Sequence, residues 1–260
     1  NGIVYNMSGV IKSVQWNIGG GMIRHPEADP LSSGSYCEDG LDNIIATLEQ
    51  RDPHLITLQE THEKNGDNQT RMIAEALGYG HWVNDTYAPS HLDDSSMLGQ
   101  GVISRFPIHG HSFQLFINPN FQIGEEYSHD KGLTSVTLGV GKRAVVAQTL
   151  HALPFRRLGV DIASDEARAI FDDMQAKILE RAKGHSVLQG DFNIDMSSLR
   201  ESFPELFEAG FSELKQHLAT TPRGRRYDHL LFSEIGLLAS GMLKDQLTDH
   251  YPIASMLVMK

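Results

Sequence analysis

The stretch Val187-Leu188-Gln189-Gly190-Asp191-Phe192-Asn193 decides how this chain reads. An apolar run stops at glycine and then offers a carboxylate and, two residues on, an amide. A short apolar run bounded by turn residues is the pattern of a buried strand, so Asp191 and Asn193 fall at its C-terminal end. Upstream, Ser164 has the form of a helix N-cap, with Asp165 and Glu166 in the positive first turn. Ala167, Ile170, Phe171, Met174 and Ile178 then recur at helical spacing, and Gly184 closes the helix.

The same alternation of strand and helix extends in both directions. Val10 to Trp16 alternates apolar and polar residues, as a half-buried strand does, and ends at Asn17. Gly19 to Asp39 is Gly-rich, carries two prolines and has no periodicity, so it is expected to be a rim loop. Leu41, Ile44, Ile45 and Leu48 predict a helix stopped by Pro53, and Leu55 to Leu58 a strand ending in Gln59-Glu60. A short helix with Met72, Ile73, Ala76 and Leu77 on its inner side closes at Gly78. The polar region Asp85 to Gln100 is expected to be another loop, followed by a short strand over Gly101 to Arg105. Leu133 to Val140 and Arg143 to Leu150 read as two strands joined by a tight turn at Gly139 to Lys142, the second ending at His151. Beyond the central stretch, Ser202-Phe203-Pro204-Glu205 has capping-box form, and strands are expected over His229 to Phe232 and Ile253 to Val258. Strands dominate and helices are interspersed singly. No linker or repeat divides the chain, so 1–260 is expected to form a single α/β domain.

Composition narrows the function classes. Apolar residues make up 40% and charged residues 21% of the 260, enough for a sizeable core. The formal net charge of -11 argues against a tight non-specific nucleic-acid binder, although a bound cation or a local basic rim can reverse the field at one site. The lone Cys37 excludes an internal disulfide and has no recognisable base partner. A reducing, cytoplasmic location is therefore expected, with secretion after processing as the alternative. No apolar run reaches the roughly 18 residues of a membrane span, so no membrane insertion is expected. Residue 1 is Asn, and residues 1–9 read as a tag remnant or flexible start, with Met7 as a natural start. Gly19-Gly20-Gly21 lacks the Gly-Lys-Ser/Thr continuation of a nucleotide P-loop.

The polar residues at strand ends carry the chemistry. Asn17, Glu60, His151, Asp191 and Asn193 follow strands, whereas Asp228 and Asp249-His250 precede them. With antiparallel neighbours, the start of one strand lies beside the end of the next, so all of these groups can share one edge. Phosphoester hydrolysis needs a cation, a positioned water, a proton acceptor and donors where oxyanion charge grows. Mg²⁺ prefers oxygen ligands and keeps several waters, so Glu60 and Asp249 would suffice to hold it.

The set SVQWNI, TLQE, GQGVISRFPI, QTLHALPF, LQGDFNID, YDHLLF and LTDHYPI, in that order, resembles the endonuclease/exonuclease/phosphatase superfamily. The resemblance implies a four-layer α/β sandwich, two mixed β-sheets face to face with helices outside, and a site at one end of the sheets. It implies Mg²⁺ or Mn²⁺ held by Glu60, with Asn17 and Asp249 assisting directly or through water. Asp191 would orient or deprotonate the attacking water, Asn193 and His151 would contact phosphoryl oxygens, and Asp228 would fix the tautomer of His250. His151 stands where abasic-site endonucleases carry tyrosine, which places the chain nearer deoxyribonuclease-like, sphingomyelinase-like and phosphatase-like members.

Each residue also has a bland reading. Asn17 alone reads as a turn or cap, Glu60 as a solvated acid, Asp191-Phe192-Asn193 as an Asx turn, and Asp249-His250 as the turn before a proline-fixed strand. His151 is one of 13 histidines. Arg223, Arg225 and Arg226 would form either a phosphate-binding rim or a solvated run paired with Asp228. Arg24 and His25, on the Gly-rich loop, are the other candidates to reach substrate. The expected function is a metal-dependent phosphoesterase acting by direct water attack, as a monomer with no partner protein. A phosphodiester is the expected substrate, with nucleic acid ahead of lipid or small phosphates. The alternatives are a phosphomonoesterase or sphingomyelinase-like enzyme and a non-catalytic binding domain of the same fold.

Overall fold

Alternating and apolar stretches of the sequence become strands, and the helical stripes become crossovers between them. The computed structural model describes residues 9–260; the reading of a natural start at Met7 lies outside the described residues. The first part runs β1 (Val10–Asn17), β2 (Met22–Arg24), β3 (Tyr36–Asp39), α1 (Leu41–Arg51), β4 (Leu55–Lys64), β5 (Asp67–Asn68), α2 (Gln69–Ala76), β6 (His81–Pro89), β7 (Met97–Ser104) and β8 (Ile108–Leu115). The rest runs β9 (Gln122–Ile123), β10 (Glu126–Tyr127), β11 (Gly132–Val140), β12 (Arg143–His151), α3 (Asp165–Arg181), β13 (Ser186–Asp191), α4 (Pro204–Glu208), β14 (Ser212–Glu213), β15 (Asp228–Ser233), β16 (Ile235–Met242) and β17 (Ile253–Met259).

One sheet has the order β16-β17-β1-β4-β7-β6, with β5 beside β4, and the other β14-β15-β13-β12-β11-β8. Both are mixed: β1 and β4 run parallel, as do β12 and β13, and the other neighbours in each sheet are antiparallel. Each parallel pair needs a long return, which α1 and α3 supply.

Three apolar clusters define four layers. Ile11, Leu55, Val102 and Leu257 of the first sheet pack against Val136, Val145, Val187 and Leu230 of the second. Val14, Trp16 and Ile56 face Ile44 and Leu48 of α1 and Ile73 of α2. Leu150 and Leu188 face Ile170, Phe171 and Met174 of α3. The fold is the expected four-layer α/β sandwich.

Several local expectations are corrected. Asp85 to Gln100 is not mainly loop, because it contains the end of β6 and the start of β7. Its polar side chains are satisfied between strands: Asp85 accepts from Thr134 Oγ1 at 2.6 Å, and Gln100 donates to Thr134 Oγ1 at 3.0 Å. The expected 19–39 loop contains the β2–β3 hairpin. In α2 the buried positions are Thr70, Ile73 and Ala74, with Leu77 packed beside them, whereas Met72 and Ala76 are exposed. The Ser202 capping box does not form; Phe203 is the N-cap of α4, with Pro204 starting the helix. Ser164 does cap α3, its hydroxyl accepting from Ala167 N–H at 3.2 Å.

Phe171 joins α3 to the second sheet's outer core, with ring centroids 5.2 Å from Phe155 and 5.1 Å from Phe203. Phe171→Ala is expected to lower stability by ~3–5 kcal/mol, the usual loss for a buried aromatic replaced by alanine. Urea unfolding of the two proteins measures the difference.

Candidate active site

Backbone register sets the site before any side chain is considered. In the second sheet His151 pairs with Asp191, Asp191 with Asp228, and Gly132 with His151, so these residues form one row at the sheet's end. In the first sheet Asn17 pairs with Gln59. A bulge in β4 between Gln59 and Thr61 leaves Glu60 out of register, at φ 53°. A non-glycine residue in that left-handed region costs about 1–3 kcal/mol and is kept where the surroundings over-determine it. Glu60 is thereby turned into the cleft, where it lines the wall.

Asp191 is the hub. Its Oδ1 accepts from Asn193 N–H at 2.8 Å, which is the Asx turn that the sequence also allows. Its Oδ2 accepts from Asn17 Nδ2 at 3.0 Å and lies 3.7 Å from both His151 Nε2 and His250 Nε2. Asn17 Nδ2 also donates to Glu60 Oε1 at 3.2 Å, while Asn17 Oδ1 accepts from Gly19 N–H at 3.0 Å. Asn193, at φ 52°, donates through Nδ2 to the Ala152 carbonyl at 2.9 Å. Phe192 between them is buried and holds the turn down against Phe203 and His229.

His250 is held from both sides. Its Nδ1 lies 2.7 Å from Asp228 Oδ2, and Gln15 Nε2 donates to Asp228 Oδ1 at 2.9 Å. The backbone carbonyl of His250 accepts from Trp16 Nε1 at 3.1 Å and from Thr248 Oγ1 at 2.7 Å, which locks the 248–250 turn onto β1. Asp249 sits close to Gly19: a Cβ on that glycine, at φ +51°, would lie 3.0 Å from Asp249 Oδ1.

Burial and charge set the protonation states. Burial raises the Asp191 carboxyl to about 7, assisted by Asp228 and opposed by His250 and the hydrogen bond from Asn17. Burial would lower His250, but Asp228 and Asp191 override it and raise the imidazole well above its ordinary value. For Glu60 burial again favours the neutral acid, yet the positive charge around it, that of Lys131 included, holds it well below the usual carboxylate range. Burial and the neighbouring Lys131 keep His151 well below the ordinary histidine value, hence neutral. Asp249 is raised by burial and by Glu60.

The donor set fits a hard divalent cation. Glu60 stays ionised, and only one of its oxygens has a hydrogen-bond partner among the described residues. Asp249 has no hydrogen-bond partner there and feels Glu60 as a like charge, which a cation between them would relieve. Asp191, Asp228 and His250 also bring one ligand atom each within 4.8 Å of one another. Both oxygens of Asp228 are already committed to Gln15 and His250, so that cluster is better described as a carboxylate–imidazole pair than as a cation cage.

A cleft of about 580 Å³ opens over these groups and is lined by Glu60, His151, Asp191, Asn193, Asp249 and His250. Asn17 and Asp228 lie buried just behind it. The structure does not bring Arg24, His25, Arg225 or Arg226 to that lining. Arg24 donates to the His25, Pro26 and Ala28 carbonyls of its own loop, His25 is exposed, and Arg225 and Arg226 both pair with Asp195. Arg223 does line the cleft, as do Arg156 and Arg157. Sequence reasoning missed Lys131, which is buried beside His151 and precedes β11 just as Asp228 opens β15; the strand-end rule that found the other groups would have found it.

The chain belongs to the Endonuclease/Exonuclease/phosphatase family, whose model matches residues 14–250. No curated protein matches it. Among solved structures it is similar to an endonuclease/exonuclease/phosphatase from Beutenbergia cavernae DSM 12333, at 18% identity and TM-score 0.74, covering 96% of this chain and 72% of that one. It is also similar to the human Nocturnin catalytic domain with bound sulfate anion, at 15% identity and TM-score 0.69 over 97% of this chain and 94% of that one. ANGEL2, a 2',3'-cyclic phosphatase in complex with adenosine-2',3'-vanadate, matches at 15% identity and TM-score 0.69, covering 96% of each chain. Members of the family are phosphoesterases that depend on divalent metal, and this chain has their fold together with a buried acidic and histidine cluster. No helix among the described residues is long and apolar enough to cross a membrane.

Gly190 permits the row to form, because a Cβ there would lie 2.2 Å from the Leu150 carbonyl oxygen of β12. Gly190→Ala is expected to destabilise the protein by at least ~1–3 kcal/mol, as overpacking does, and to shift Asp191 relative to His151. A thermal melt with amide chemical shifts of residues 150–152 and 190–193 checks both.

Proposed function

We propose that the protein is a Mg²⁺- or Mn²⁺-dependent phosphodiesterase that hydrolyses its substrate by direct attack of water. The observation that carries this reading is the meeting of Asn17 and Glu60 from one sheet with Asp191 from the other, around a single amide, at 3.2 and 3.0 Å. Glu60 and Asp249 would hold the cation, with Asn17 assisting. A divalent cation there supplies charge neutralisation at the phosphoryl oxygens.

Asp191 accepts the proton of the attacking water at Oδ2, since a carboxyl raised to about 7 is matched to proton transfer near neutrality. His250 is kept cationic by Asp228 and Asp191 and therefore acts as donor rather than base, from Nε2 toward the oxygen on which charge grows. His151 and the second N–H of Asn193 Nδ2 complete the donors around the phosphoryl group. A compact phosphate ester is the better-supported substrate class, favoured by a cleft of about 580 Å³, the size of small-molecule sites, and by the pairing of Arg225 and Arg226 with Asp195. Nucleic acid, the class expected from the sequence, is the second reading.

Single-stranded and duplex DNA, RNA, sphingomyelin and inositol phosphates, each with Mg²⁺ and with chelator, test the assignment. Chelation is expected to abolish turnover, and Asp191→Asn to lower kcat by roughly 10²–10⁴-fold, the span of a lost general base. Turnover that survives chelation would sink the mechanism.

The pH profile tests the roles of the two groups. With Asp191 as base, kcat/KM rises with pH as that carboxyl loses its proton around pH 7, then falls as His250 loses its own at higher pH. Asp228→Asn removes a negative neighbour that raises both groups, so both limbs are expected to move to lower pH. Limbs that stay in place would assign the profile to other groups.

A further inference from the structure

Lys131 is a buried cation that the proposed chemistry leaves unused. It is 4% exposed and lies on the cleft wall, with its carbonyl fixed by Phe116 N–H at 2.9 Å. Taking an ammonium out of water is unfavourable unless an anion or acceptors compensate. Among the described residues no carboxylate oxygen comes within ion-pair distance of it. Its contacts are His151 Nδ1 at 3.1 Å, His151 Nε2 at 3.4 Å and the Tyr87 ring centroid at 5.5 Å.

An ammonium has three N–H bonds and no lone pair, whereas a neutral imidazole has one lone pair. Lys131 therefore gives one N–H to His151 and has two more without an acceptor. The same accounting fixes the tautomer of His151. Lys131 can only donate and lies nearer Nδ1, while Nε2 faces Glu60 Oε1 and Asp191 Oδ2, so the lone pair belongs at Nδ1 and the hydrogen at Nε2. That Nε2–H points to the space shared by Glu60 Oε1 at 3.5 Å and Asp191 Oδ2 at 3.7 Å. Two kinds of donor, one charged and one neutral, thus converge on one spot beside the carboxylates, and among the described residues two N–H groups of Lys131 have no acceptor.

We propose that Lys131 and the Nε2–H of His151 form a built anion pocket that holds a non-bridging phosphoryl oxygen of the substrate, separate from the divalent cation. The assignment rests on the phosphoester reading of the cleft. Lys131 is then a phosphate-binding residue and also the group that orients His151. Glu60 and Asp249 would hold a cation that neutralises phosphoryl charge, and the ammonium would serve an oxygen on the His151 side.

Inorganic phosphate is the probe. Calorimetric titrations of the wild type, Lys131→Met and Lys131→Arg, each with Mg²⁺ and with chelator, read phosphate affinity without turnover. Melting temperature and Mn²⁺ affinity of the same proteins report whether the fold and the carboxylate side survive. Lys131→Met is expected to weaken phosphate binding roughly ten- to hundredfold in both metal states, the loss of a charged hydrogen bond. Lys131→Arg retains the charge and is expected to stay within about threefold of wild type. Mn²⁺ affinity of Lys131→Met should hold or tighten, because a cation near Glu60 has been removed. Unchanged phosphate affinity in Lys131→Met overturns the proposal, and so does a joint fall of phosphate affinity, Mn²⁺ affinity and melting temperature, which would make Lys131 structural. Because these readouts need no turnover, a chelator-insensitive hydrolysis would remove the mechanism above while a selective phosphate defect would still establish the pocket.

Discussion

Two buried carboxylates from opposite sheets face each other at the end of the sandwich, and one amide separates them. Asn17 Nδ2 reaches Glu60 Oε1 at 3.2 Å and Asp191 Oδ2 at 3.0 Å. The orientation is not free, because Gly19 N–H donates to Asn17 Oδ1 at 3.0 Å, and a flipped amide would set carbonyl oxygen against both anions. Gly19 is also the residue packed on Asp249, so a single turn after β1 positions the amide and one of the proposed cation ligands together. By donating to both carboxylates the amide offsets part of their repulsion where the two sheets meet.

Beneath that contact the space between the sheets changes character. At the far end Ile11, Leu55, Val136 and Val187 pack as an ordinary apolar core. Toward the site, amides replace aliphatics: Ser13 Oγ donates to Gln189 Oε1 at 2.8 Å, Gln15 Nε2 to Gln59 Oε1 at 2.6 Å, and Gln59 Nε2 to Thr149 Oγ1 at 2.7 Å. Since side chains alternate along a strand, Gln15 and Gln189 share a face with Asn17 and Asp191 two residues on. The amides therefore form a hydrogen-bonded floor under the charged groups. These bonds tie side chains of the two sheets to one another, although Gln15 Oε1 and Gln189 Nε2 have no partner among the described residues.

This placement explains which parts of the site were legible in the sequence. Asn17, His151, Asp191 and Asp228 sit at strand ends and Asp249-His250 just before β17, and the register aligns them, so a strand-by-strand reading brings them together; Glu60 instead lies inside β4, which continues to Lys64, and reaches the site through its bulge. Lys131 obeys the same rule but precedes a strand whose start was read at Leu133 rather than Gly132, and it was passed over. Arg225 and Arg226 could not be judged from sequence, because the acid that pairs with them is Asp195, some thirty residues away on another loop. β6 and the first half of β7 were hidden because their polar residues are satisfied by neighbouring strands, so composition mimics a loop while the backbone is sheet. The bulge at Glu60 leaves no mark in composition either. It follows from a register shift between β4 and β7 and is visible only once both strands are paired.

An acidic protein and the proposed phosphoester cleft are no contradiction once distance is considered. The net charge of -11 belongs to the whole chain, and exposed charges are screened within roughly 8–10 Å at physiological salt. Inside the cleft the screening is weaker and the local inventory governs. Lys131, Arg156, Arg157 and Arg223 stand on its walls against Glu125 and Glu126. Arg157 is already bound to Glu126 at 2.8 and 2.9 Å, which holds two of its N–H groups. Glu60, Asp191 and Asp249 share those walls, so a positive field there would need the proposed cation and would be short-ranged, centred on the cleft. A long polyanion would gain little from such a distribution beyond the phosphate at the site itself, because each further phosphate adds repulsion from a chain of net charge -11. A substrate that concentrates its charge at the reacting phosphate gains the same local attraction without that opposition, and the size of the cleft favours the same kind of molecule.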